Sequence, residues 1–157
     1  MDRQNLMKMM TQSISNVFET AFFQSVDIQT LKKYTRLESF LSGELTGACL
    51  EFTGNLEGVI YLVVPEAWAK DFTADFLGID ALSVTDAQKQ DTIKEAVNMI
   101  AGRMFSFFDK DGEIHLGIPK IISNVALGQE DLLKIKGDVL QVMTEKNALA
   151  VVTALGA

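Results

Sequence analysis

Four residues in the middle of the chain recur at helical spacing and could do chemistry together. Asp91, Glu95, Asn98 and Gly102 stand at i, i+4, i+7 and i+11, so on a helix they share one narrow arc. An amide can donate and accept hydrogen bonds but cannot remove a proton at neutral pH. Glycine inside a helix costs about 1 kcal/mol relative to alanine. The pattern therefore predicts a polar face that orients a small molecule and that a flat surface approaches closely.

The helix that must carry these residues has an apolar stripe on its opposite side. Its members recur at helical spacing and are Ile93, Val97, Ile100, Met104 and Phe108, a pattern that must face a core. Capping-type residues at Ser83–Asp86 predict where the helix begins, and the turn cluster Asp109–Gly112 predicts where it ends. The stripe is scaffold, and the polar arc faces outward.

The remaining elements follow from periodicity and turn residues. We predict helices over 3–23 and 66–77, the latter stopped by Gly78, a short strand over 26–31, a hairpin of strands 45–53 and 57–64 joined at Gly54-Asn55, a broken strand at 114–119 and 121–122, and a second hairpin of strands 134–144 and 148–154. Each hairpin follows a long helix, and the two hairpins can be aligned weakly. The 157 residues are thus predicted to form one α+β domain, two-layered, with long helices on one face of a mainly antiparallel sheet built from two pseudo-twofold helix-plus-hairpin halves.

Composition excludes several functional classes. A net charge of −7 opposes binding to nucleic acid or to an anionic membrane, because phosphate groups are bound by clustered cations. No apolar run is long enough to span a bilayer. The single Cys49 cannot form an internal disulfide, and its apolar surroundings in the sequence predict a buried thiol in a reducing compartment. We therefore expect a cytoplasmic protein without membrane insertion.

The polar arc and its flanks resemble a known signature. The order Asp91, Glu95, Asn98, then Met99 to Gly102, and later Ile118-Pro119 resembles that of the CheC/CheX chemotaxis phosphatases, and of CheX-type members in particular. Glycine-bounded runs at 45–54 and 56–65 extend the resemblance, which covers roughly residues 10 to 155. Arg103 and Met104 depart from the pattern, because the family would place smaller or polar residues there. The family has the two-layer architecture predicted above.

The resemblance implies a phosphatase that hydrolyses the phosphoaspartate of a CheY-type response regulator. Such hydrolysis needs an in-line water and neutralised charge on the phosphoryl oxygens. A receiver domain already supplies Mg²⁺ and a lysine, so the enzyme needs no cofactor of its own and adds the positioned water. Asn98 would position that water. Glu95 is a poor base beside an anionic phosphoryl group, and the resemblance implies an ion pair with the receiver lysine instead.

Neighbouring residues take supporting roles in this interpretation. Asp91 would extend the contacts with the receiver, Met99 and Gly102 would let its surface approach, and Pro119 would shape the strand start beneath the site. The reversed order Asn16-Val-Phe-Glu19 on the first helix does not recreate the arrangement, since side chains lean toward the helix N-terminus. We predict one site per chain. The resemblance also implies a homodimer formed through the sheet.

Other interpretations of the same residues remain open. Polar residues on an exposed helix face are most often simply solvated. A Mg²⁺ or Ca²⁺ site is disfavoured because one straight helix face cannot surround a cation that needs six or more oxygens. His115, the single histidine, is best explained as structural. A non-catalytic module that docks a receiver or a flagellar partner, or a structural homo-oligomer without a receiver partner, are the alternatives to an enzyme.

Overall fold

The computed structural model describes residues 3–33, 35–107, 109, 111–122 and 137–156. In chain order, the elements are α1 (Arg3–Ala21), β1 (Asp27–Thr30), a short 3₁₀ turn (Leu37–Ser39), β2 (Leu45–Gly54), β3 (Gly58–Pro65), α2 (Glu66–Leu77), a second 3₁₀ turn (Ala81–Ser83), α3 (Asp86–Ser106), β4 (Ile114–Leu116), β5 (Lys120–Ile122), β6 (Asp138–Met143) and β7 (Ala148–Leu155). These bounds agree closely with the predicted elements. The start of the last hairpin, predicted at 134, lies outside the described residues.

The seven strands form one antiparallel sheet whose order reflects the two halves of the chain. The order is β1-β6-β7-β3-β2-β4, and β5 also pairs with β2. At the centre β3 pairs with β7, which joins hairpin β2–β3 to hairpin β6–β7. Each hairpin takes its outer neighbour from the other half, β1 beside β6 and β4–β5 beside β2. The predicted α+β fold, with one antiparallel sheet built from two pseudo-twofold halves, is therefore confirmed.

The main core lies between the three helices and one face of this sheet. The apolar stripe of α3 is buried there as predicted, from Ile93 through Val97 and Ile100 to Met104. Phe108 lies outside the described residues. Rings from α2 and from the residue after α1 close the far end, with Phe22 stacked on Phe72 at a centroid distance of 4.2 Å. Each such fully buried side chain contributes about 1.5–3 kcal/mol relative to an exposed one, so α3 is firmly fixed to the sheet.

The opposite sheet face has a smaller apolar cluster, centred on Leu37 and Leu41 from the segment after β1 and on Val63 and Val152 from the central strands. Cys49 points to this face, because alternate residues of β2 point toward the helices. The thiol is half-buried rather than buried as predicted. Partial burial raises the pKa of Cys49, and the nearby carboxylate of Glu51 adds to the effect.

Local hydrogen bonds set the ends of α3, and a local backbone conformation sets the end of α1. Thr85 and Gln88 form a capping box at the start of α3. The helix ends at Ser106, slightly before the predicted turn cluster, because the Asp109 carboxylate accepts hydrogen bonds from the backbone N–H groups of Glu113 and Ile114. Likewise α1 ends at Ala21 rather than at residue 23, since Phe23 has a left-handed backbone with φ 57°.

None of the helices in the described ranges has the length and apolar character needed to cross a membrane.

Candidate functional site

The polar arc of α3 is directed away from the core. Asp91 and Glu95 are exposed, whereas Asn98 and Gly102 are half-buried. On its apolar side α3 packs against β2 and α1, and it also contacts the edge strands β4 and β5. The four residues therefore lie on one accessible face of a rigid helix, which is the arrangement that the spacing predicts.

The side chains of Glu95 and Asn98 have no partner among the described residues. Within the described part of the chain, neither side chain takes part in a hydrogen bond or an ion pair. An amide and a carboxylate held one turn apart without internal partners can both bind a second molecule. With respect to the described residues, a partner can bind both side chains without first breaking an internal interaction.

Asp91 has an internal partner, which the sequence analysis did not assign. Its carboxylate lies 3.5 Å from the Lys94 ammonium, and the Asp91 side chain is 77 % exposed. Such exposed pairs contribute little to stability. Lys94 precedes Asn98 by one turn, and its ammonium is directed to Asp91. The i, i+3 spacing of Asp91 and Lys94 was the signal that could have identified this cation.

The first turn of α3 is anchored by a small network of ion pairs. The Lys89 ammonium lies 2.9 Å from Asp86 and 3.2 Å from Glu66 at the start of α2. The hydrogen bond that the Lys89 ammonium donates to the Asp86 carboxylate raises the pKa of Lys89 despite its partial burial, and it lowers the pKa of Asp86. The Lys89–Glu66 ion pair links α3 to α2, so these charges serve the scaffold and do not involve the polar arc.

Gly102 leaves open space on the polar arc. A Cβ added at this position would have no heavy atom within 4 Å, so nothing inside the described structure requires a glycine here. Replacing Gly102 with alanine should raise the free energy of unfolding by about 0.5–1 kcal/mol, because alanine favours the helix. Urea unfolding followed by circular dichroism would measure this.

Gly58 is the control for that measurement. A Cβ at Gly58 would clash with the backbone carbonyl oxygen of Ala154, so Gly58→Ala should destabilise the protein. If Gly102→Ala also destabilised it, the glycine would be required by the fold, and its proposed role in letting a partner approach would lose its basis.

The other predicted site residues lie on α3 itself or just before β5, a strand that α3 contacts. Met99 is half-buried and packs against the main core, so only part of its side chain can meet a partner. Pro119 is half-buried and immediately precedes β5, the position expected for a residue that shapes the strand start. Met104 is fully buried and Arg103 is exposed. The departure at Met104 thus lies in the core and outside the polar arc.

The reversed pair on α1 differs from the pair on α3. Glu19 is exposed, but the Oδ1 atom of Asn16 is buried and has no partner among the described residues. An amide oxygen in that position cannot receive a hydrogen bond from an external water. This geometry supports the prediction of one site per chain.

The chain offers no evident metal centre in the residues that the structure covers. No group of three or more histidine, cysteine, aspartate or glutamate side chains is close enough there to hold an ion. His115 is exposed on β4, opposite Thr53 of β2.

Comparisons with known proteins agree with the fold. Residues 46–136 match the family described as chemotaxis phosphatase CheX. No match was found among curated proteins. The chain is similar to the crystal structure of a chemotaxis protein CheX from Desulfovibrio desulfuricans, with a TM-score of 0.70 and 18 % identity over 96 % of this chain and 99 % of that one.

Two further structures have the same fold. A chemotactic CheC-like protein from Shewanella oneidensis gives a TM-score of 0.73 and 14 % identity over 99 % of this chain and 100 % of that one. A CheX–CheY–BeF₃–Mg²⁺ complex from Borrelia burgdorferi gives a TM-score of 0.71 and 14 % identity, with 97 % and 98 % of the two chains covered. At these identities the likeness establishes the fold alone.

Proposed function

The chain belongs to the CheX family of chemotaxis phosphatases, and on that basis we propose that it hydrolyses the phosphoaspartate of a CheY-type response regulator. The partner is a phosphorylated receiver domain, and the reaction ends a two-component signal in the cytoplasm. That a CheX relative has been crystallised with CheY, BeF₃ and Mg²⁺ supports a receiver as the partner. The proposal also includes a homodimer formed through the sheet, which sedimentation velocity would detect.

One observation carries the proposal. The Glu95 and Asn98 side chains leave α3 on its accessible face and have no partner within the described residues. A structural role for them would require an internal contact, whereas a role toward a second protein requires this freedom. The rigid attachment of α3 to the sheet provides the positional accuracy that orientation of a water molecule demands.

Each residue of the site has a separate role in this proposal. The Asn98 amide accepts a hydrogen bond from a water and donates one, so it holds the water in line with the bond to be broken. The receiver contributes Mg²⁺ and a lysine that neutralise the phosphoryl oxygens. Glu95 pairs with that lysine and fixes the register of the two proteins, while Asp91 extends the contact. Gly102 and the exposed part of Met99 allow the receiver surface to come close to α3.

Dephosphorylation of purified receivers from the same cell, with Mg²⁺ present, tests this function. Catalytic amounts of the protein should accelerate loss of the phosphoryl group from at least one receiver. A receiver that binds tightly in its phosphorylated state but loses phosphate at its intrinsic rate would favour a docking module without catalysis. Absence of both binding and acceleration for every receiver would leave a structural homo-oligomer.

Glu95→Ala should lower kcat/KM for the phosphorylated receiver by roughly tenfold, because it removes an intermolecular ion pair that also sets orientation. Both KM and kcat should change. Added salt should lower kcat/KM more for the parent protein than for the variant, since salt screens exposed charge pairs. Glu19→Ala, an exposed acidic residue on α1, is the matched control and should behave like the parent. Equal losses in the two variants would refute the role assigned to Glu95.

A further inference from the structure

A break in the edge strand beside α3 has the geometry of a β-bulge. Leu116 of β4 pairs with Phe52, and Lys120 of β5 pairs with Cys49. Three residues, 117 to 119, therefore stand opposite two residues, 50 and 51, of β2. Gly117 donates its backbone N–H to the carbonyl of Glu51 at 2.7 Å. Bulges of this kind often lie next to functional sites, where they redirect a side chain.

The bulge lies beside α3 at the level of Asn98. At one end, Ile93 of α3 lines a pocket with Thr46 of β2 and Ile121 of β5. At the other end, the Phe105 ring lies 4.7 Å from the Phe52 ring. The helix thus runs alongside β2, and the midpoint between residues 93 and 105 is residue 99. The stretch of β2 midway between these contacts is the stretch that faces the bulge.

Asn98 also points toward that edge. It precedes Phe105 by seven residues, which is two helical turns, so the two side chains leave α3 on nearly the same side. Phe105 packs on Phe52, and Phe52 is the direct partner of Leu116 in the edge strand. The half-buried amide therefore leaves α3 at the border of its buried side, on the side of the helix that faces the edge strand with the bulge.

The bulge presents an isoleucine to solvent. Ile118 is 82 % exposed, although its neighbours Gly117 and Pro119 are held by the Glu51 hydrogen bond and by partial burial. The backbone on both sides is fixed, so the apolar side chain is displayed in a defined position. Exposed single apolar residues are ordinary on protein surfaces. Ile118, however, lies on a bulge between β4 and β5, two strands that α3 contacts.

We propose that Ile118 is an apolar contact for the same receiver domain that Asn98 serves. This inference rests on the proposed function and extends its interface from α3 onto the sheet edge. A specific complex buries about 800 Å² on each partner, which is more than the four residues of the polar arc can supply. A receiver seated on Asn98 must therefore cover neighbouring surface, and the bulge is continuous with the arc. Apolar anchors surrounded by polar residues are typical of interface centres.

The experiment compares Ile118→Ser with Leu82→Ser in the dephosphorylation assay. Ile118→Ser should raise the KM for the phosphorylated receiver by roughly fivefold to tenfold and leave kcat unchanged, because the residue touches the partner and not the reacting atoms. Leu82 is 91 % exposed in the turn before α3, and twelve residues of helix, about 18 Å, separate the start of α3 from Asn98. Its replacement should leave KM and kcat unchanged.

A binding measurement separates this inference from the proposed catalysis. In an Asn98→Ala background the dissociation constant for a beryllofluoride-activated receiver should rise by the same factor when Ile118→Ser is added. An unchanged KM and dissociation constant would overturn the inference while the role of Asn98 stood. Altered self-association with intact receiver binding would overturn it too, since the occupant would then be a second copy. A parent protein that neither binds nor dephosphorylates any receiver would refute both the function and the inference.

Discussion

Replacing Asn98 with alanine should lower the rate of receiver dephosphorylation at saturating protein by about 100-fold or more. Removing one preorganised hydrogen-bonding group aimed at a reacting centre typically costs two to three orders of magnitude in rate. The amide is half-buried and has no side-chain partner within the described residues, so its loss should leave the fold intact. Circular dichroism and thermal unfolding should therefore match the parent.

Two further substitutions at the same position sharpen this expectation. Asn98→Asp keeps the size but offers only acceptors and adds a negative charge beside the phosphoryl group, so it should be as inactive as the alanine variant. Asn98→Gln keeps the amide but moves it by one methylene, so it should retain part of the activity. An order of activity in which aspartate exceeds glutamine would indicate a general base, and the water-positioning role would be wrong.

Phe105→Ala should produce the largest loss of stability among substitutions on α3. The ring is buried and lies 4.7 Å from the Phe52 ring, where it fastens the last turns of the helix to the edge of the sheet. Truncating a buried phenylalanine costs about 3–5 kcal/mol through lost burial and the cavity left behind. Single domains have only about 5–15 kcal/mol of stability in total, so urea unfolding should show a large shift in midpoint.

Phe107→Ala is the matched control for Phe105→Ala. Phe107 follows two residues later and is half exposed, at 46 %, so its truncation should change the free energy of unfolding by no more than about 0.5 kcal/mol. Comparable losses for the two variants would contradict the position of Phe105 beneath the edge strand. That position also fixes the side from which Asn98 leaves the helix, so the comparison checks the geometry on which the bulge argument depends.

Most of the fold could be predicted from periodicity and turn chemistry. Helix α2 was predicted with the bounds it has, because Pro65 and Gly78 mark its ends in the sequence. The apolar stripe of α3 was predicted because its residues recur with the 3.6-residue period of a helix. The same period places them on one face of α3, and that face is buried. The end of α3 was less accessible, because it is set by Asp109 bonding to backbone groups four and five residues later. Side-chain bonds of this kind have no periodic signature.

Only the part of the site that lies on one helix, α3, could be predicted from the sequence. The spacing of Asp91, Glu95, Asn98 and Gly102 gave their common face, and burial agrees with it. The half-burial of Cys49 was missed because a run of apolar residues does not reveal which sheet face lacks a helix cover. The contact proposed at Ile118 could not be inferred from the sequence, because it depends on the register of β4 and β5 against β2. That register arises from pairing between distant segments and is invisible along the sequence.

The central claim is that Asn98 supplies the step that hydrolyses a partner's phosphoaspartate. Its most direct test is the single-turnover decay of a phosphorylated CheY-type receiver that is saturated with either the parent protein or Asn98→Ala, in the presence of Mg²⁺. We expect fast decay with the parent and decay close to the receiver's own rate with the variant, although both bind the receiver equally well. Equal acceleration by the two proteins would contradict the account.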